Sequence, residues 1–205
     1  MIDFFIAAYK DASLLQIILE TCCFFLGILS VWYAKKENIL VYPTGLISTV
    51  ITVYLLYVAK YYGDMTVNIY FSIMSIYGWY HWSRSTNDKL VISRTNTREK
   101  LIGLLLFIIT TFVVYIVYVL SGHEMEWVNY IDLFTSGLFF TGMWFMANKK
   151  IENWTLWIIG DAIAVPLYAY RGLGILSLQY LIFTVLAIIA YLEWKKSLNN
   201  TTQIS

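Results

Sequence analysis

Apolar stretches of about twenty residues recur along the whole chain and are separated by short polar segments. Seven such windows are present: Leu14–Ala34, Asn38–Ala59, Met65–Ser83, Leu101–Leu120, Val128–Ala147, Asn153–Tyr170 and Gly172–Leu192. Each matches the roughly 20 residues that an α-helix needs to cross a bilayer. Barrel strands would instead show alternating segments of about ten residues, a pattern absent here. The pattern predicts an all-α polytopic membrane protein with seven transmembrane helices.

Composition agrees with this prediction. Of the 205 residues, 60% are hydrophobic and only 13% are charged, which is too little charge for a soluble domain of this size. Four windows contain no Asp, Glu, Lys or Arg, and the other three contain one carboxylate each, namely Glu20, Asp132 and Asp161. Burying charge in hydrocarbon is costly, so this sparseness is expected of spans. The net charge of +1 gives no reason to expect a nucleic-acid partner.

The basic residues are distributed unequally between the two sides that seven spans define. One side holds only Lys10, Lys60 and Arg171. The other, called the basic side below, holds Lys35, Lys36, Arg84, Lys89, Arg94, Arg98, Lys100, Lys149, Lys150, Lys195 and Lys196. Basic loops face the cytoplasm, so we expect an inner (plasma) membrane protein with its N-terminus outside and residues 195–205 as a cytoplasmic tail.

The first three windows resemble the last three. Trp32 and Trp82 are 50 residues apart, as are Trp144 and Trp194. Further matches are Glu20 with Asp132, Lys35-Lys36 with Lys149-Lys150, Gly45 with Gly160, and Asn68 with Gln179. The spacing predicts parallel repeats over residues 14–83 and 128–194, joined by a linking helix at 101–120 in a 3+1+3 arrangement. Chance spacing among eight tryptophans is the alternative. Transporters built from repeats hold the substrate near the bilayer midplane, between the repeats.

Polar residues inside the spans are candidates for a binding site, because they normally face the bundle interior. Asn68, Ser72, Ser75 and Trp79 form one stripe of the third span, and Ser48 and Gln179 lie in the second and seventh spans. Small polar residues also mediate helix packing, and tryptophans near span ends often lie at the membrane interface. Both interpretations remain open for these residues.

Asp161 is the most informative polar residue of the chain. Trp154, Trp157 and Asp161 lie at i, i+3 and i+7, on one face of the sixth span. A carboxylate about two turns into a span indicates a functional site. Beside two indoles it suits a flat cation, since a desolvated cation–π contact contributes about 2 kcal/mol.

The other chemically notable residues favour structural roles. Glu20 and Asp132 lie nearer the outer ends of their spans, and we interpret them as anchors in preference to substrate ligands. His81 and His123 have no partner at metal-ligand spacing, so neither a metal nor a cofactor is expected. The phosphate loop, H-E-x-x-H and G-x-S-x-G signatures are absent, and the chain is therefore not expected to be an enzyme.

The chain resembles the PnuC family of vitamin transporters from about Glu20 to Trp194. The resemblance rests on two motifs, Tyr77-Gly78-Trp79-Tyr80-His81-Trp82-Ser83-Arg84 and Glu152-Asn153-Trp154 with Trp157. It implies a SWEET-like 3+1+3 fold, a homo-oligomer, specifically a trimer, and facilitated diffusion with trapping of the vitamin by a cytoplasmic kinase. It also implies that Trp154 and Trp157 flank the substrate and that Asn68 bonds to its polar groups.

Two positions depart from the riboside-carrying pattern of that family. The sixth span of riboside carriers typically reads W-x-x-W-x-x-x-N, whereas this chain has Asp161 at the last position, and Ser48 stands where an Asn is common. Such changes alter the hydrogen-bonding groups that select a ligand. Nicotinamide riboside remains the predicted substrate because of the overall resemblance, and the two departures make thiamine, another cationic vitamin, the alternative. An intramembrane enzyme or a sensory membrane domain is the alternative of another class.

Overall fold

A computed structural model describes residues 13–58, 62–84, 90–120 and 125–202, and these form seven helices. We label them α1 (Leu14–Lys35), α2 (Val41–Val58), α3 (Tyr62–Ser83), α4 (Thr97–Leu120), α5 (Trp127–Ala147), α6 (Glu152–Tyr170) and α7 (Gly174–Thr202). Each predicted window overlaps one helix. The largest difference is that α7 continues beyond the predicted span into residues 195–202. Lys10, Lys60, Lys89, His123 and residues 203–205 lie outside the described residues.

Four of the described helices are long and apolar enough to cross a membrane: α1, α2, α4 and residues Gly174–Asn200 of α7. Polar and aromatic residues are more frequent in α3, α5 and α6, as with Asn153, Trp154, Trp157 and Asp161 of α6. The predicted all-helical, polytopic membrane fold is thereby confirmed.

Side chains before the helices define where several of them begin. Ser13 accepts a hydrogen bond from the Gln16 amide at the start of α1, at 3.2 Å. Before α4, Asn96 and Glu99 exchange side-chain and backbone bonds of 2.8 and 2.9 Å. Such caps supply partners for the amides that the first turn leaves unpaired.

Six of the helices form a closed ring. Going round it, the pairs in contact are α1 with α2, α2 with α3, α3 with α5, α5 with α6, α6 with α7, and α7 with α1. Helix α4 lies outside the ring, where it packs on α5 and touches α3. Helices α2 and α6 therefore stand on opposite sides of the ring interior, without extensive contact between their backbones.

Residues 112 positions apart occupy the same backbone conformation at the ends of α1 and α5. Glu37 and Lys149 are the described non-glycine residues with positive φ, at 53° and 50°. The amides that follow them donate to equivalent carbonyls, Asn38 to Tyr33 and Lys150 to Phe145, each at 2.9 Å. The two turns thus have the same hydrogen-bond pattern.

Two indoles extend this correspondence, because each bonds to the end of a helix in the opposite half of the chain. Here the first half is α1 to α3 and the second half is α5 to α7. Trp82 of α3 donates to the Ala147 carbonyl of α5 at 3.1 Å, and Trp194 of α7 donates to the Ala34 carbonyl of α1 at 3.2 Å. Each indole also makes an edge contact within its own half, Trp82 with Tyr42 at 5.0 Å and Trp194 with Trp154 at 5.4 Å between ring centroids. Tyr42 and Trp154 are again 112 residues apart.

The structure corrects one detail of the sequence matching. The lysine pairs Lys35-Lys36 and Lys149-Lys150 looked equivalent, but the backbone places Lys149 in the position of Glu37. Matching residue types had shifted the alignment by two positions, because a shared turn does not require shared side chains.

Candidate functional site

Helix α6 carries the predicted site on the face that points into the ring. Trp157 lies 6.0 Å from Phe71 between ring centroids, although α6 and α3 are not neighbours round the ring. This contact indicates that the Trp157 side chain extends into the interior. Trp154 and Asp161 share its face by helical spacing and are 1% and 2% exposed. The structure therefore brings these three predicted residues together along one inward surface.

Aromatic rings surround Trp157. Phe139 of α5 stacks on its indole at a centroid distance of 5.2 Å, and Tyr180 of α7 in turn stacks on Phe139 at 6.2 Å. Gly142 of α5 lies beside the indole, and a Cβ there would make an ordinary contact of 3.4 Å with Trp157 Nε1. Stacked rings at this depth can hold a flat ligand by stacking or by cation–π contact.

Three polar atoms along the inward surface have no hydrogen-bond partner within the described part of the chain. They are Trp154 Nε1, Trp157 Nε1 and Asp161 Oδ1. Buried polar groups are normally satisfied, so atoms without a protein partner mark places where a ligand or water can bind. The two indoles offer donors and the carboxylate offers an acceptor, which together suit a ligand that has both polar groups and positive charge.

The hydroxyls of Ser48 and Ser72 are used in contacts between neighbouring helices. Ser48 is buried on α2 and donates to the Cys23 carbonyl of α1 at 3.1 Å. Ser72 lies 2.8 Å from the Thr49 hydroxyl and donates to the Asn68 carbonyl at 3.0 Å. These bonds tie α1, α2 and α3 together, as small polar residues do in membrane bundles.

The other predicted site residues occupy different surroundings. Asn68 is half-buried on α3, one turn from Ser72. Gln179 lies between α7 and α1, with its Nε2 3.3 Å from where a Cβ of Gly27 would be. Trp79 is 41% exposed, so the structure leaves it outside the buried aromatic group.

The two remaining span carboxylates have partners of their own. Asp132 forms an ion pair with Arg171 and accepts a hydrogen bond from the Tyr118 hydroxyl at 3.0 Å. Burial lowers the pKa of Arg171, but its hydrogen bond and attraction to Asp132 raise it, and the net shift is upward. Glu20 accepts from Gln16 at 2.8 Å. Neither pairs with Asp161, and the described residues contain no group of three His, Cys, Asp or Glu side chains placed for a metal.

An open groove of about 270 Å³ lies elsewhere, on the outside of the ring. It runs between α4, α5 and the start of α6 and is lined by Lys100, Gly103, Phe107, Thr141, Phe145 and Leu156 among others. It contains none of the predicted site residues. Thr95 also lines the groove and has a buried hydroxyl without a partner among the described residues. The inward surface of α6 remains the better candidate, because three such atoms, one of them a carboxylate oxygen, lie there together.

Sequence reasoning missed the rings that enclose Trp157. Phe71, Phe139 and Tyr180 come from three different helices, and nothing marks them among the 12 phenylalanines and 17 tyrosines of the chain. Glu37 was missed as well, although the offset of 112 residues from Lys149 was a signal that could have identified it.

A comparison with known families adds to this geometry. The family model described as "Nicotinamide mononucleotide transporter" matches residues 17–196. The chain belongs to this family. Two relatives have the same similarity to it, the nicotinamide riboside transporters PnuC of Escherichia coli K12 and Shigella flexneri. Each is 26% identical over 196 residues and covers 83% of this chain and 82% of its own. The prediction of a PnuC-like transporter, and not an enzyme, is thereby confirmed.

Two further proteins extend the relationship. The riboflavin/roseoflavin transporter RibM of Streptomyces davaonensis is 23% identical over 127 residues, which cover 59% of this chain and 58% of that protein. The crystal structure of the vitamin B3 transporter PnuC superimposes with a TM-score of 0.71 at 22% identity, covering 95% of this chain and 86% of that one. This structural likeness establishes the shared fold.

Proposed function

We propose that this member of the nicotinamide mononucleotide transporter family carries a small cationic vitamin, nicotinamide riboside, across the inner membrane by facilitated diffusion. The observation that carries the proposal is the inward surface of α6, where buried Asp161 and two indoles present polar atoms without partners. The pyridinium ring of the riboside is flat and positively charged, and its amide and ribose supply hydrogen-bonding groups. The names of the PnuC relatives support the same substrate.

Thiamine is the second candidate, on the strength of Asp161. Riboside carriers resembling this chain typically have a neutral Asn at that position. The negative charge of Asp161 instead favours a ligand whose positive charge can pair with a carboxylate. Thiamine has a positively charged thiazolium ring and a flat pyrimidine. Binding titrations with both vitamins, followed by tryptophan fluorescence, separate the candidates, and Trp157→Ala serves as the control that removes the reporting indole.

We further propose that residues 14–83 and 128–194 are parallel repeats linked by 101–120, and that transport is a rocking of one against the other. The matching turns and indole contacts 112 residues apart support this arrangement, as does the placement of α4 outside the ring. The charge distribution supports an outside N-terminus and a cytoplasmic C-terminus. Assembly as a trimer and trapping by a cytoplasmic kinase complete the proposal, and both are supported by the family resemblance.

Uptake into proteoliposomes tests the transport activity. We expect labelled riboside to equilibrate across the membrane with empty vesicles and to accumulate only when a riboside kinase and ATP are enclosed, because a phosphorylated vitamin is no longer a substrate. Vesicles that enclose the kinase without ATP are the control. Accumulation against a gradient without the kinase would contradict facilitated diffusion, and no uptake of either cationic vitamin would refute the transporter proposal.

A further inference from the structure

An ion pair joins the two halves at the basic side. The Nζ atom of Lys149 lies 2.9 Å from Oε2 of Glu37. These residues are the equivalent positive-φ positions of the two matching turns. In a twofold-related pair of repeats, equivalent residues can touch each other only at the axis that relates the repeats. The ion pair therefore marks the axis, where a path between the repeats would open.

Aromatic side chains cross between the halves around this pair. Lys149 Nζ lies 4.6 Å from the centroid of Trp82, which adds a cation–π contact to the ion pair. The indoles of Trp82 and Trp194 each cap a helix of the opposite half. The contact between the halves is thus reciprocal, like that of an isologous dimer interface.

Burial shows that the halves are held together at this end. One hydrophobic cluster contains Ala34 and Tyr42 of the first half together with Met146, Trp154 and Trp194 of the second. The described buried residues of α1 are the two at its basic-side end, and those of α2 are the first two of the helix and one further along. At the opposite ends of α1 and α2, no described residue is buried.

We propose that Glu37, Lys149, Trp82 and Trp194 form the basic-side gate of the transport path, closed in this structure, and that the Glu37–Lys149 ion pair breaks each time the gate opens. The inference rests on the proposed transport function and assigns it residues outside the substrate site. Glu37 is about one-third exposed, and ion pairs that reach water are weak enough to break repeatedly. A rocking motion of the repeats has to separate residues on the axis at one end of the path.

Reversible cross-linking tests the gate. Cys22 and Cys23, the two native cysteines, are first replaced by alanine. A short, reducible bis-thiosulfonate then bridges Glu37→Cys to Lys149→Cys. Bridging should lower riboside uptake by at least about tenfold, and reduction should restore it, because a gate that cannot open blocks turnover. Uptake within about twofold of the reduced protein would overturn the proposal.

A second ion pair supplies the matched control. Lys150 follows Lys149 in sequence but pairs with α4, outside the ring: its Nζ lies 2.8 Å from Glu99 Oε1. Bridging Glu99→Cys to Lys150→Cys should leave uptake within about twofold. Equal inhibition by both bridges would assign the effect to cross-linking at this surface and overturn the gate.

Thiol labelling measures the gate without using transport. Asp161→Cys, in the cysteine-free protein, places a thiol inside the ring. Glu37→Lys puts a second lysine opposite Lys149, and the repulsion between them should speed the reaction of the thiol with an impermeant maleimide, added from the basic side, by about threefold or more. Adding Lys149→Glu restores a pair of opposite charges and should return the reaction to its original rate. Unchanged labelling in the single variant refutes the gate. Faster labelling supports the gate, and if the protein that keeps Asp161 takes up neither vitamin, only the proposed transport is refuted.

Discussion

Asp161→Asn is the substitution that most directly tests the proposed site. It keeps the size and the polar character of a side chain that is 2% exposed, and it removes only the negative charge. A cation at roughly 5 Å interacts with a carboxylate by about 3 kcal/mol when the effective dielectric constant is about 20. Loss of hydration of the ligand offsets part of this attraction. Removing one partner of a buried charge pair costs about 2–5 kcal/mol, and we take the lower end because the ring charge is delocalised.

The expected result is a change in preference between a charged and a neutral ligand. Nicotinamide riboside is compared with its 1,4-dihydro form, which has the same ribose and amide but no ring charge. About 2 kcal/mol corresponds to roughly a 30-fold change in Kd, so the variant should lose about that much of its preference for the cation. Affinity for the neutral form should change little. Quenching of tryptophan fluorescence, with Trp154 and Trp157 beside the ligand, provides the titration signal.

Asp132→Asn is the matched control, since it removes another carboxylate from the spans. Asp132 is ion-paired with Arg171, away from the inward surface of α6. Its substitution should destabilise the protein but leave the preference between the two ligands unchanged. The reasoning is refuted if Asp161→Asn weakens both ligands by the same factor, or if Asp132→Asn shifts the preference equally.

The remaining predictions concern packing. Gly160→Ala would place a Cβ against the Phe139 ring, and should lower stability by about 1–3 kcal/mol and weaken riboside binding by displacing a ring that stacks on the site indole. Gly142→Ala places a Cβ 3.4 Å from that indole, so its stability in detergent, measured by thermal unfolding, should stay within about 0.5 kcal/mol of the unsubstituted protein. Equal losses of stability in the two variants would contradict this account. Trp194→Phe should cost about 1–3 kcal/mol, because Trp194 is 1% exposed and the change removes buried ring volume and one of the donors to the Ala34 carbonyl, which keeps the Glu37 amide. The half-buried Trp82→Phe should cost less. A larger loss in the second variant would refute that ranking.

The sequence alone determined the helices, the membrane setting and the family. Seven apolar windows predicted seven helices within a few residues at most boundaries, because a bilayer requires a fixed length of apolar helix. The bilayer also made Asp161 stand out as a candidate, because a carboxyl group inside a span is costly to bury. Its spacing from Trp154 and Trp157 put the three on one face of the helix, of which Trp154 and Asp161 are buried and Trp157 is half-buried.

Only the tertiary structure decided which faces turn inward and which residues meet across the halves. The residues of the predicted stripe on α3 do not share one environment, since Ser75 is buried whereas Trp79 is 41% exposed. Hydropathy cannot make this distinction, because lipid tails are as apolar as a protein interior. Likewise, Phe71 and Phe139 come into contact with Trp157 only when the ring closes. The same is true of the contact between Glu37 and Lys149. Helical periodicity fixes the direction of a side chain about its own axis, whereas packing between helices determines what that side chain meets.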